Sequence, residues 1–390
     1  MQGFSRILPC FLLVLLLSST IVHSGKAQNP GIRRSVLVNY LRAESQPPNE
    51  YVLSKFSNHR IVILGEHHWI KHDVDLVLDL IPRLKSSGVT AIGVEMFRAS
   101  DQETIDRVVN SDRWQPTMAM VVMRTASWPY REYFEIIHAV WKANQTLPPT
   151  ERLQLLAMGP DTDWRERLLP LGQTYDTFMA QTVKSYLKGP NRRILIYCGA
   201  HHAFTRYYQP ELPRAQRVEQ FMNRMGNVLW RDFGEDVFTI TLHRPWQCRA
   251  GEKWTRCLPL NGTIDCAAAT LGHPVGFDVI RSPFARIPIA EETLYALGYP
   301  MLRLGDMTDG YIWTMPLEAY RGVDVLSLSE YAPDQVSLEY VSKNNPFSDK
   351  TGLGRAELES LASAESARLR DFVKSSGWET LAGWRQRCKN

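Results

Sequence analysis

The 390-residue sequence contains no Gly-x-Ser-x-Gly elbow, no closely spaced cysteine pair, no internal repeat and no low-complexity tract. Those absences argue against the serine-nucleophile elbow of α/β-hydrolases, against a structural zinc knuckle and against a repeat architecture. Charge of one sign is also scarce. The formal net charge is +4, and it falls to +2 without Arg6 and Lys26, too little to argue for a nucleic-acid partner. No basic stripe with interleaved aromatics is present. With 44% hydrophobic residues, the chain has enough apolar material for one large or two modest domains with a sizeable core.

The longest apolar stretch lies near the start, in MQGFSRILPCFLLVLLLSSTIVHSGKAQ. A basic residue at Arg6, an apolar core around 11–17 and small polar residues up to Ala27 predict a secretory signal over 1–27, because the core falls short of the ~20 residues of a membrane span. Cys10 precedes that core and lacks the small-residue context of a lipidation site. The expected localisation is export, periplasmic or secreted, with no stable membrane span. Removal of the leader leaves Cys198, Cys248, Cys257, Cys266 and Cys388, an odd number. Cys198 ends an apolar run and is read as a buried free thiol; the other four admit three disulfide connectivities.

Short runs rich in Ile, Val and Leu alternate with helical periodicity, the pattern of repeated strand–helix–strand units. The runs are 60–64, 91–94, 153–158, 194–197 and 237–242, with shorter pieces at 277–280 and 311–315. Helices are expected between the first two runs and over 104–109, 130–142, 175–188 and 214–225, with one long amphipathic helix over 355–384. The fold class is therefore α/β, a mainly parallel sheet with helices around it. The segments are a signal peptide (1–27), a lead-in (28–57), the α/β core (58–243), a Cys-rich insertion (244–290), the C-terminal part of the core (291–345) and a C-terminal helix (346–390).

The polar groups stand at the ends of these strands. The first run leads into Gly65-Glu66-His67-His68, with His72 close behind; the second ends at Glu95; the third at Asp161; the fourth at Gly199-Ala200-His201-His202. Ligands of open parallel sheets bind outside the carboxyl ends of the strands. Gly-x-x-His thus occurs twice, each time directly after an apolar run. His68, Glu95 and His202 are candidate ligands for a divalent metal (Zn, Mn or Co), with an open position for water and with Glu66 as general base. The same atoms allow a metal-free route, in which His68, oriented by Glu66 or Glu95, is the base and His202 serves the developing oxyanion or leaving group. A binding protein is the competing class: haem iron accepts Tyr or His, Tyr207 and Tyr208 follow His202 closely, and Arg206 suits a propionate.

Together, LGEHH, GVEMF and CGAHHAF resemble the superfamily that joins Tiki metalloproteases, erythromycin esterases and ChaN-like haem-uptake proteins. The Tiki pattern maps onto Gly65, His68, Glu95, Gly199 and His202, whereas the Gly-Glu-x-His form, EMF and WPYREYF look closest to the ChaN-like branch. The resemblance covers about 58–243 and implies a three-layer α/β/α core. It implies three divergent activities: metal-dependent peptide cleavage, metal-independent ester hydrolysis, and haem binding. The expectation is an exported hydrolase of amide or ester bonds acting on a small molecule or peptide, or a haem/iron-binding uptake protein using the same rim.

Overall fold

The computed structural model describes residues 32–189, 191–211, 220–251, 253–348 and 350–388. The expected leader lies outside them, as does the first half, 214–219, of the helix expected over 214–225. Eleven strands occur among the described residues: β1 (Ile61–Glu66), β2 (Ala91–Arg98), β3 (Gln154–Gly159), β4 (Ile194–Gly199), β5 (Gln209–Glu211), β6 (Gln220–Met222), β7 (Val237–Leu242), β8 (Trp246–Ala250), β9 (Lys253–Cys257), β10 (Val275–Asp278) and β11 (Gly310–Trp313). Seven form one sheet in the order β10-β11-β7-β1-β4-β2-β3. All neighbouring pairs are parallel except β10 with β11.

The central strands read as continuous apolar runs because both of their faces are covered. Alternate side chains enter different cores. Val62 and Leu64 of β1, with Leu195 and Tyr197 of β4, pack on one side; Ile61 and Ile63, with Ile194, Ile196 and Cys198, pack on the other. Helix Lys71–Leu84 covers the first face with Val74, Val77, Leu80, Ile81 and Leu84, which are buried at helical spacing. Helix Arg131–Asn144 joins it there, while helices Tyr175–Leu187 and Met225–Phe233 cover the second face. This is the expected three-layer α/β/α arrangement.

Several elements depart from the sequence reading. The segment 220–224 is not helical: β6 pairs with β5, and the helix starts only at Met225. A helix that is not among those expected occupies Pro116–Thr125, with Pro116 in the first turn where its missing N–H costs nothing. The C-terminal helix ends at Arg370; beyond it the chain breaks into short turns, with Gly377 in the left-handed region (φ 70°). Within 244–290, β8 and β9 form a hairpin, and β10 is the edge strand of the main sheet. Disulfides join Cys248 to Cys257 across that hairpin and Cys266 to Cys388. Cys198 is free and buried, as expected, and burial pushes its thiol pKa up. No helix among the described residues is long and apolar enough to cross a membrane.

Candidate functional site

Strands β1 and β4 are neighbours, with Gly65 opposite Cys198 and Glu66 opposite Gly199, so both Gly-x-x-His motifs leave the sheet at the same level. β2 lies on the other side of β4 and brings Glu95 to that edge. Both glycines are required by close approach. A methyl group on Gly65 would stand 3.0 Å from Cα and Cβ atoms of Ala200 and Ala203, and one on Gly199 would stand 2.7 Å from Cε1 and Nε2 of His68. The His68 ring therefore lies across the end of β4, over a residue that must have no side chain.

Two carboxylate–histidine units meet there, one from each face of the sheet. The first is Glu66 with His68. Glu66 is 2% exposed; Tyr197 Oη donates to its Oε2, Tyr133 Oη lies 3.3 Å from its Oε1, and His68 Nδ1 lies 2.8 Å from the same oxygen. The Nδ1–H thus faces Glu66, which leaves Nε2 without a hydrogen bond among the described residues. Trp128 stacks on the imidazole at 4.1 Å. Trp69, the next residue, has a left-handed backbone (φ 73°), a conformation that costs a bulky residue of order 1–3 kcal/mol and here swings the chain away. Its N–H donates to Tyr133 Oη at 3.2 Å, so a single phenol anchors both the carboxylate and the turn. Burial opposes charge on His68, but the hydrogen bond and negative charge of Glu66, with Glu95 behind it, win and raise its pKa.

The second unit is a clamp. His202 presents Nε2 to Glu95 at 3.3 Å and Nδ1 to Asp176 at 2.6 Å. Asp176 also accepts from the Met225 N–H (2.8 Å) and from Arg224 (3.2 Å), and Glu95 accepts from the Gly199 N–H (2.7 Å). Burial opposes the charged imidazole, yet two carboxylates overcome it and hold the His202 pKa at about 10. Reciprocally, the Glu95 pKa falls to about 2 despite burial, chiefly through His202. At neutral pH His202 is an imidazolium.

A cavity of about 220 Å³ opens over these groups, lined by Glu66, His67, His68, Gly199, Ala200, His201 and His202. Arg224, Arg244, Gln247, Arg256 and Tyr295 complete its wall. His67 and His201 are held neutral: burial, reinforced by Arg244, lowers the His67 pKa to about 3 and that of His201 well below the ordinary value.

Not every residue singled out in the sequence arrives here. Asp161 follows β3, which lies beyond β2 at the sheet edge, and pairs instead with Arg167 at 3.0 Å. His72 sits in the first turn of a helix that starts at Lys71, too late for it to share a face with His68; it packs edge-on against Tyr320 at 4.2 Å. The three residues considered for haem also lie elsewhere. Tyr207 is buried with its hydroxyl donating to Tyr295 O (2.7 Å), Tyr208 lies outside the cavity wall, and Arg206 is paired with the buried Asp309. As arranged, they do not fit a haem axial ligand and propionate partner at this cavity. The expected metal set fares similarly. Both nitrogens of His202 are directed at carboxylates and Nδ1 of His68 at Glu66, and no group of three or more His, Cys, Asp or Glu among the described residues is arranged to hold a metal ion.

Sequence reasoning missed Asp176, Tyr133, Tyr197 and the three arginines. One signal was in view: WPYREYF, quoted above only as a resemblance, supplies Trp128 and Tyr133, the stacking partner of His68 and the anchor of Glu66. Asp176, in the first turn of its helix, looks like any acidic residue placed to suit the helix dipole.

Residues 52–168 match a family described as "Haem-binding uptake, Tiki superfamily, ChaN". No curated protein matches the sequence. Among solved structures, a succinoglycan biosynthesis protein superposes with a TM-score of 0.50 at 9% identity, covering 72% of this chain and 96% of that one. An erythromycin esterase mutant in its open conformation gives 0.43 at 11% identity (67% and 92% covered), and ChaN of Campylobacter jejuni, described by its cofacial heme binding, gives 0.34 at 11% identity (50% and 86%). At these identities, what the first of them shares with this chain is its fold. The matched segment carries the first Gly-x-x-His motif and Glu95, and across residues 52–168 the resemblance to the Tiki, erythromycin esterase and ChaN-like superfamily is borne out.

Proposed function

We propose that this protein is a hydrolase of ester or amide bonds that uses His68 as general base, with Glu66 as its positioning carboxylate and His202 as a fixed positive charge. The observation that carries the reading is the Glu66–His68 contact of 2.8 Å, which leaves Nε2 of this cavity-lining residue without a hydrogen-bond partner among the described residues. A base oriented through its other nitrogen by a buried carboxylate is the arrangement that positions an imidazole to take a proton from a nucleophile. Glu66 itself, read from the sequence as the base, is enclosed by two tyrosines and acts through His68.

The step balances as follows. His68 Nε2 takes a proton from water as the water oxygen bonds to the acyl carbon, and the carbonyl electron pair moves onto its oxygen beside the cationic wall. Collapse of that adduct breaks the C–O or C–N bond, and the proton on His68 passes to the leaving group. Arg224, on the same wall, and the His202 imidazolium stabilise the intermediate charge without changing protonation state. No metal enters this scheme. The two disulfides support export to an oxidising compartment, in keeping with the leader read at 1–27.

The family description favours a second reading, haem held at this rim without turnover. Hydrolysis of a p-nitrophenyl ester panel, assayed with and without EDTA, separates the two. The hydrolase reading expects release that survives EDTA and falls about 10²–10⁴-fold in H68A. A panel with no turnover, together with a stoichiometric Soret band on haem addition, would replace it with the binder.

A further inference from the structure

The cavity wall opposite the histidines carries a feature that the hydrolytic scheme does not require. Arg244 is 5% exposed, lies between β7 and β8, and makes one hydrogen bond, from Nη1 to Tyr295 Oη at 2.9 Å. Its Nε is buried without a partner, and it forms no ion pair among the described residues. Guanidinium is never neutral in proteins, and a buried cation with no carboxylate in contact is strongly unfavourable unless an anion joins it; the buried Asp73 acts on Arg244 through space, with no ion pair or hydrogen bond between them. Arg256, one residue before the disulfide cysteine Cys257, reaches the same cavity from the exposed strand β9 and likewise forms no ion pair among the described residues. Arg224, also on the wall, already serves Asp176 and Gln209 and still has a buried Nε without a partner. Among the described residues the only carboxylate on this wall is Glu66, which is taken by His68 and two tyrosines. Cations therefore face an empty volume next to the reactive imidazole.

We propose that Arg244 and Arg256 form an oxyanion-binding subsite, so that the substrate carries a carboxylate or phosphate group beside the bond that is cleaved. The proposal rests on the hydrolase reading for the word substrate, but not for the binding of the anion. Two guanidinium forks suit the planar or tetrahedral oxygens of such a group, and their charge-assisted hydrogen bonds are stronger than neutral ones. Gln247, on the β8 strand of the same hairpin, adds a side-chain amide to the wall. The Cys248–Cys257 bridge closes the hairpin that carries Arg256, so the subsite is built by the Cys-rich segment and the chemistry by the sheet.

The test uses the full chain and two measurements. Calorimetric titration with succinate and with inorganic phosphate reads the subsite directly; hydrolysis of the p-nitrophenyl monoester of glutaric acid, against its methyl-capped neutral counterpart, reads its use. Expected are saturable binding of at least one anion, weakened by salt, and a kcat/KM for the charged ester roughly 10- to 100-fold above the neutral one. R256Q, at an exposed position that tolerates change, brings both the affinity and that ratio down about tenfold; R244Q does so more strongly if it folds. Succinate binding without phosphate binding assigns a carboxylate, and the reverse assigns a phosphate. Anion binding lost in R256Q, with no ester turned over, upholds the subsite and removes the hydrolase reading. Absence of binding by either anion, or binding and ester preference unmoved in R256Q, overturns the subsite whatever the turnover.

Discussion

Replacement of Glu66 by Gln tests the catalytic reading most sharply, because the two side chains are nearly isosteric and differ in charge and in one acceptor. Glu66 receives three donors: the Tyr197 and Tyr133 hydroxyls and His68 Nδ1–H. An amide keeps one acceptor oxygen and turns an NH2 toward the rest, so at least one buried donor loses its partner, at a cost of about 1–3 kcal/mol in stability. The chemical loss is larger. With the carboxylate gone, the Nδ1–H tautomer is no longer enforced, and a base that presents the wrong nitrogen forfeits about 10²–10⁴-fold in kcat. The pH profile carries the decisive sign. A general base must be neutral, so wild-type activity falls as pH drops through a His68 pKa lying above the ordinary 6.5. Glu66 is the main group that raises it; in E66Q burial remains and pulls the pKa down, so the acid limb moves to lower pH even as the plateau collapses. The assay is kcat/KM for a p-nitrophenyl ester from pH 4.5 to 9, paired with an NMR titration of His68 that needs no turnover. An acid limb and a His68 titration both unmoved in E66Q would refute the coupling of these residues.

Gly199→Ala places a methyl group 2.7 Å from the His68 ring and should displace it, with kcat down about 10²-fold while the far-ultraviolet circular dichroism stays native. His202 carries a linkage signature: its folded pKa of about 10 exceeds 6.5, so its contribution to stability is complete below about 6.5 and drains away as pH rises to about 10; urea titrations across that range should show the decline, and H202Q should flatten it. C266S/C388S, which opens a bridge spanning 122 residues, should cost about 2–4 kcal/mol in urea unfolding, with the Glu66–His68 chemistry intact at low denaturant. Opening the shorter bridge with C248S/C257S should leave global stability closer to wild type and weaken succinate or phosphate binding, because that bridge sits beside Arg256.

Strand positions were the most legible part of the fold, and 237–242 agrees to the residue, because buried parallel strands are uninterrupted apolar runs that end where polar residues begin. The same rule located the candidate site: Glu66 ends β1, His68 and His202 follow β1 and β4, and Glu95, inside β2, stands just past the last β2 residue paired with β4; the three strands are adjacent. Asp161 shows the limit of the rule, since a strand end is one-dimensional information and β3 lies at the far edge. Arg244 and Arg256 were invisible for a different reason. Their convergence depends on how a loop-rich hairpin folds over the rim, and neither period nor turn chemistry encodes that distance. The lost helical reading of 220–224 and the breakup of the chain after Arg370 both come from pairing or turn geometry at β6 and Gly377, where tertiary context outweighs local periodicity.

The two histidines differ in the number of carboxylates each one meets, and that difference separates their roles. His68 touches one, and only through Nδ1; its remaining nitrogen is available, and Glu66 raises its pKa above the ordinary value against the pull of burial. His202 touches two, one at each nitrogen, and stays charged up to about pH 10. Environments that push like groups to different proton affinities are how a site assigns base and electrostatic partner from the same residue type. The architecture explains why both units fit. Glu66 rises on the face covered by helix Arg131–Asn144, and Asp176 comes from the helix on the opposite face, so the two carboxylate systems would be separated by the thickness of the sheet. They meet only at its carboxyl edge, where Gly199 omits the side chain that would stand between His68 and Glu95; a methyl placed there would lie 2.7 Å from the first and 3.5 Å from the second. The repeated Gly-x-x-His motif is thus less a pair of equivalent ligands than a means of bringing two unlike histidines to one edge.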